Sequence, residues 1–267
     1  MSAADFRVVI PARFGSSRLP GKPLRDLAGK PMIEHVCERA QESGASEIVV
    51  ATDDQRIFDA VQQFGGRAVM TSAAHASGTD RLAEVAERLG WASDVIVVNL
   101  QGDEPLLPGR WLARIAKLLS AEPGAGIATL ATPIHDERDI ANPNVVKLVT
   151  DQRGFALYFS RAPIPWVRDG YRLPAEFPLA EGVPVLRHLG LYAYRVGALT
   201  EIAKSPLAAL ERAEALEQLR ALYLGIRIRV EVTSESLGHG VDTEADLAAV
   251  AAILSSQLAA AGMLEPS

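Results

Sequence analysis

Several stretches of the chain are built on nearly continuous apolar runs, and they alternate with stretches that are apolar only at helical spacing. The first kind comprises Phe6–Pro11, Glu47–Thr52 (EIVVAT), Arg67–Met70, Asp94–Leu100 (DVIVVNL) and Gly126–Thr132. The second comprises Met32–Ala40, the run from Asp53–Asp54 to Gly65–Gly66, Thr79–Leu89 and Pro108–Leu119. A strand with no polar face is buried on both sides. The alternation therefore predicts an α/β fold, a mostly parallel sheet with helices on both faces. From about residue 140 to 195 the pattern changes. Asn144–Thr150, Ala156–Ser160 and His188–Tyr194 read as strands around a Pro- and Gly-rich stretch, Ala162–Pro184. This predicts an excursion of mixed or antiparallel strands within a single domain spanning the chain. A helix over Leu210–Leu224, a strand over Arg227–Thr233 and a last helix from Thr243 complete the expected order.

Composition narrows the function. With 267 residues, a single α/β domain can bury a sizeable core. A net charge of -6 argues against a general nucleic-acid binder, which needs a basic face to displace counterions. The single cysteine, Cys37, cannot form an internal disulfide, and its apolar neighbours Met32, Ile33 and Val36 mark it as a small buried hydrophobe. The start of the chain lacks a basic segment followed by an apolar one, and no window has the length of a membrane span. The expected compartment is the cytoplasm, without membrane insertion.

Against the acidic background, the loop Pro11–Pro23 (PARFGSSRLPGKP) carries Arg13, Arg18 and Lys22 and no acid. It follows a buried strand, at the end of a parallel sheet where ligands bind. Glycines allow backbone N–H groups to approach phosphate oxygens, and the cations neutralise them. A solvated surface loop with scattered cations is the bland alternative. The spacing excludes a Walker A loop, because five residues separate Gly15 from Gly21 and Pro23 follows the lysine. Nor does it match a dinucleotide fingerprint. Any metal with a bound triphosphate must find its ligands elsewhere.

Two carboxylates are candidates. Asp103, in Gln101-Gly102-Asp103, follows the Asp94–Leu100 strand, and Asp242, in Gly240-Val241-Asp242-Thr243, precedes the last helix. Magnesium is satisfied by one or two carboxylates with phosphate oxygens and water. On spacing alone, a helix N-cap is the commoner role for Asp242 or Thr243. Asp103 has no evident packing role. His35, His75, His135 and His239 show no metal-ligand spacing and read as structural or exposed.

Taken in order, PARFGSSRLPGKP, SGTDRL (77–82), VNLQGDEP (98–105), NPNVV (142–146), YFSRAPIPW (158–166), RHLGLYAY (187–194), LEQLR (216–220) and GVDT (240–243) resemble the 3-deoxy-manno-octulosonate (Kdo) cytidylyltransferases, over nearly the whole chain. The resemblance implies a Rossmann-like nucleotide-diphospho-sugar transferase fold and a homodimer joined through the excursion. It also implies transfer of CMP from CTP to Kdo, with release of pyrophosphate, for lipopolysaccharide biosynthesis. It assigns catalysis to Arg13, Arg18, Lys22 and Asp103, and Mg²⁺ to Asp103 and Asp242. Ala12, Arg13, Lys22, Ser77, Gly78 and Thr79 would bind the nucleotide. The acceptor would meet Gln101, Arg161, His188, Tyr192, Glu214 and Gln218, with Glu214 and Gln218 on one face of the Leu210–Leu224 helix. By themselves, Glu214 on a charged helix reads as solvated and His188 as a satisfied core histidine. A synthetase for another acidic sugar (sialic acid or 8-amino-Kdo) and a non-catalytic CTP-binding module are the alternatives.

Overall fold

The computed structural model describes residues 5–15, 19–75, 77–168, 170–171, 177–179 and 182–262. The chain divides into two compact units. One is built from Asp5–Trp91, Val97–Arg114 and the segment from Leu237 on, the other from Ala92–Ile96 and Ile115–Ser236.

The first unit begins with β1 (Phe6–Ala12), then a one-turn 3-10 helix (Lys22–Leu24) and a short antiparallel pair, β2 (Asp26–Leu27) and β3 (Lys30–Pro31). It continues with α1 (Met32–Gln41), β4 (Glu47–Thr52), α2 (Gln55–Gln63), β5 (Ala68–Met70), α3 (Gly78–Arg88), β6 (Ile96–Asn99) and the start of α4 (Arg110–Ser120). Its strands lie in the order β6-β1-β4-β5. β1 pairs parallel with β4 (Val8 opposite Ile48), and β4 parallel with β5 (Val50 opposite Ala68). Val8, Val9 and Ile10 are fully buried in succession, as expected of a strand covered on both faces. α1 buries Met32, Ile33, Val36, Cys37 and Ala40, the stripe that 3.6-residue periodicity lays on one side. Within it, burial first, then Glu34 and Glu38, pushes the Cys37 thiol up to about 12, so it is inert.

The second unit carries β7 (Ile127–Pro133), α5 (Glu137–Ala141), β8 (Lys147–Thr150), β9 (Ala156–Ser160) and β10 (Leu186–Arg195). It closes with α6 (Val196–Lys204), α7 (Ala209–Glu214), α8 (Gln218–Tyr223) and β11 (Ile228–Val232). β7 pairs parallel with β11 and antiparallel with β10, and β8 pairs antiparallel with both β9 and β10. The expected mixed excursion is therefore present, and the chain is α/β throughout. The last helix, α9 (Glu244–Gly262), belongs to the first unit. Its Leu247, Val250 and Leu254 pack with Leu19, Leu27 and Met32.

The expected helix over Leu210–Leu224 is corrected. α7 ends where Ala215 turns left-handed at φ 50, and α8 starts again at Gln218. A buried ion pair joins the two pieces: the Arg220 guanidinium donates to both Glu211 oxygens at 2.9 and 2.7 Å, and to Ile202 O at 3.1 Å. Glu214 and Gln218 are thus on separate helices, and the four-residue spacing does not align them.

A second buried pair anchors the first unit. Arg81, fully buried in α3, donates to Asp53 at the end of β4 and to Thr71 Oγ1 at 2.7 Å. Removing one partner strands a buried charge. Asp53→Ala is expected to cost about 3–5 kcal/mol in denaturant unfolding, with much of the loss recovered in the Asp53→Ala/Arg81→Met double variant. A cost under about 1 kcal/mol, the range of exposed pairs, would contradict this.

Candidate active site

In the first unit, three segments meet at the carboxyl end of β1. The loop after β1 closes on itself where Gly21 N–H donates to Phe14 O at 3.0 Å. Its returning limb is fixed by Leu19, buried in the cluster with Val241 and Leu247. Lys22 follows, with Pro23 in the first turn of the 3-10 helix, so the missing N–H costs nothing. The second segment leaves β6 through Gly102. A Cβ there would stand 2.8 Å from Pro11 O, so glycine is required by the close approach of the two strand ends. The third runs into α9 and is tied to the second by Val241 N–H donating to Asp103 O at 2.8 Å.

These segments deliver a shared contact. Lys22 Nζ donates to Asp103 Oδ2 at 2.7 Å and to Asp242 Oδ1 at 3.1 Å, with the lysine side chain only 12% exposed. The N-cap expected of Asp242 or Thr243 falls to Thr243. Its hydroxyl accepts from Asp246 N–H at 3.2 Å, and the Asp246 carboxylate accepts from Thr243 N–H at 2.8 Å. With the cap so filled, the Asp242 carboxylate is turned to Lys22. Arg25 braces the same corner through two bonds to Glu244 at 2.7 and 2.9 Å.

The cleft here is lined by Pro11–Arg13, Gly15, Lys22–Pro23 and Gln101–Asp103. Arg13 donates to His75 O at 2.9 Å, and His75 pairs with Glu84, which also accepts from Ser72 N–H. Ser77 caps α3 in a reciprocal box with Asp80. Gly78 adjoins Pro11, while Thr79 is buried. Arg18 lies outside the described residues. Among the described residues no cluster of three or more acidic, His or Cys side chains forms a metal site.

In the second unit, Glu214 braces the end of β9, accepting from Ser160 Oγ at 2.7 Å and Arg161 N–H at 2.9 Å. The Arg161 guanidinium donates to Glu214 O at 2.7 Å, Pro143 O at 2.8 Å and Ala215 O at 3.3 Å. β10 bulges between His188 and Tyr192, with Gly190 at φ 70 inside the bulge. Thr129 fills the gap, its hydroxyl donating to Leu191 O at 2.8 Å and lying 2.9 Å from His188 Nε2. Burial lowers the His188 imidazole to about 3, so it is neutral. Its ring packs against Phe159 and Tyr192. The Tyr192 hydroxyl is buried and meets no hydrogen-bonding partner among the described residues. Gln218 begins α8, half-buried.

Sequence reasoning missed Ser160, Thr129 and Lys147. The last had a signal, a lone lysine within the apolar run Val145–Val149. It is fully buried.

The chain belongs to the cytidylyltransferase family, whose sequence profile matches residues 7–228, and it is a nucleotidyltransferase enzyme. Within that family it is 55% identical to the 3-deoxy-manno-octulosonate cytidylyltransferase of Hahella chejuensis, over 93% of this chain and 97% of that protein. The same enzyme of Alkalilimnicola ehrlichii is 56% identical over 94% and 97%. A solved structure of CMP:2-keto-3-deoxy-manno-octonic acid synthetase complexed with CTP matches with TM-score 0.84 and 46% identity, covering 95% of this chain and 99% of that one. A cytidylyltransferase from Leptospira borgpetersenii serovar Hardjo-bovis, 17% identical with TM-score 0.60 over 94% and 87%, shares the fold.

Glu104, beside the shared contact, is raised from 4.5 to about 7, by burial first and then by Asp103 and Asp242, with Lys22 opposing. Between those pH values the unfolded chain has lost this proton and the folded protein keeps it. The contribution of this group to stability therefore falls as pH rises from 4.5 to 7. Glu104→Gln is expected to remove this loss, a gain of up to about 3 kcal/mol above pH 7 and none below pH 4. Parallel denaturation curves for the two proteins across that range would contradict it.

Proposed function

We propose that the enzyme transfers the cytidylyl group of CTP to the anomeric hydroxyl of Kdo, giving CMP-Kdo and pyrophosphate. The observation that carries this is the shared contact of Lys22 with Asp103 and Asp242, in a cleft lined by the basic loop. In this reading the triphosphate lies along Ala12, Arg13 and Lys22, with Arg18 of the same loop adding charge. Ser77, Gly78 and Thr79 hold the nucleoside.

Two carboxylate oxygens within 3.1 Å of one ammonium mark a spot where a cation is favourable. Their hard oxygen chemistry suits magnesium. Asp103 and Asp242 would hold Mg²⁺, which supplies neutralisation of phosphate charge when bound. With those carboxylates so occupied, Lys22 would be free to meet phosphate oxygens. The barrier falls because Arg13 and Lys22 stand ready where charge grows on the departing pyrophosphate. Little covalent work is asked of the side chains.

In the second unit, the acceptor is assigned to Arg161, His188, Tyr192, Glu214 and Gln218. Arg161 suits the sugar's carboxylate. His188, being neutral, contributes a hydrogen bond and no charge. The Tyr192 hydroxyl, orphaned and buried, suits a sugar hydroxyl. The reading extends to a homodimer, supported by the exposed Leu157 and Trp166 of the excursion. It extends also to the cytoplasm and to lipopolysaccharide synthesis. No helix among the described residues is long and apolar enough to cross a membrane.

Pyrophosphate release with Mg²⁺, crossing CTP, UTP and ATP against Kdo, 8-amino-Kdo and sialic acid, is expected to be greatest for CTP with Kdo. No release from that pair would overturn the proposal. Lys22→Ala is expected to lower kcat roughly 10²–10³-fold while the fold is kept, its far-ultraviolet circular dichroism matching that of the wild type. Near-normal turnover at saturating substrates would remove Lys22 from catalysis.

A further inference from the structure

Lys147, on β8, is fully buried, and its ammonium is held by backbone carbonyls. Nζ donates to Asn142 O at 2.9 Å, Val145 O at 2.6 Å and Arg161 O at 2.6 Å, so all three of its protons are used. The carbonyls come from two segments, the turn before β8 and the residue that follows β9. The same two segments are joined a second time, from the other side, because Arg161 donates to Pro143 O. Lys147 stands opposite Ser160 in the β8–β9 register, and Ser160 is the residue that holds Glu214. Lysine, Arg161, the 142–145 turn and Glu214 therefore form one closed network.

Burying an ammonium without a carboxylate against it is costly, and an apolar side chain of equal length would fill the space. What the lysine adds is a fixed geometry for three carbonyls and a positive charge close to Arg161. The charges facing it are Glu214, Arg161 and Asp139, and Arg187 is opposite it on β10. Burial lowers its own pKa to about 8.

We infer that Lys147 is a positioning residue for the acceptor: it fixes the Arg161 guanidinium through Arg161 O and the 142–145 turn, and its charge biases that site toward a sugar bearing a carboxylate. This rests on the assignment of Arg161 to the acceptor. It adds a residue that need not touch the substrate.

The test uses the full chain with Lys147→Met, Lys147→Gln, Arg161→Ala and the Lys147→Met/Arg161→Ala double variant, with pyrophosphate release followed against each substrate in turn. Lys147→Met is expected to raise KM for Kdo at least about tenfold, with KM for CTP within about twofold and kcat little changed. Lys147→Gln, which keeps two donors, is expected to fall between it and the wild type. In the Arg161→Ala background the lysine substitution is expected to add little, because one acts through the other. An unchanged KM for Kdo, equal losses for both substrates, additive effects of the two substitutions, or unfolding of both lysine variants would each overturn the role. Wild-type turnover separates the two claims. Its absence with CTP and Kdo would overturn the functional reading itself.

Discussion

One ammonium between two aspartates organises the nucleotide end of this protein. Asp103 and Asp242 are far apart in sequence and carry like charge, so their approach needs a cation between them. Lys22 supplies it at 2.7 and 3.1 Å. Each participant is brought there by a separate piece of local structure. Leu19 and the turn ahead of Pro23 place the lysine, and the side-chain-free Gly102 lets Asp103 come up beside Pro11. The Thr243–Asp246 cap frees Asp242 from capping its own helix. The raised Glu104 follows first from its burial and then from the negative charge concentrated beside it.

Such a contact is exchangeable by nature. In the proposed mechanism a lysine paired with aspartates satisfies the site while it lacks a divalent ion, and would turn toward phosphate when one binds. The chemistry proposed for this cytidylyltransferase needs both states: carboxylates open to magnesium and a cation close to the triphosphate. The second unit follows a different rule. There, buried polar groups act through backbone carbonyls and a filled bulge, as in Lys147, Thr129 and the Glu214 brace, which gives geometry in place of mobile charge.

Where one side-chain pattern dictates one structure, the sequence was readable. β1, β4 and β6 follow from runs with no polar face, and α1 from its stripe of buried positions. The convergence of the basic loop with Asp103 follows from the parallel-sheet rule. Other features had competing readings. LERAEALEQLR keeps helical periodicity through Ala215, yet the Arg220–Glu211 pair and the packing of α6 favour two short helices with a left-handed residue between them. Asp242 and Thr243 are both good caps, and only the position of Asp246 decides between them. Lys147 could be noticed in an apolar run, but three carbonyl partners from two segments are a tertiary fact. The residues proposed for the acceptor rest on family resemblance alone, since Glu214 and His188 by themselves read as ordinary surface and core.

The proposed mechanism turns on the exchange of Lys22 for a divalent ion. It is tested most directly by a crystal structure with CTP and Mn²⁺, in which the metal is located by its anomalous scattering. An anomalous peak is expected within coordination distance of both Asp103 and Asp242, with Lys22 Nζ moved from the carboxylates to a phosphate oxygen. A bound CTP with Lys22 still bridging the two aspartates, or a metal held by neither, would contradict it.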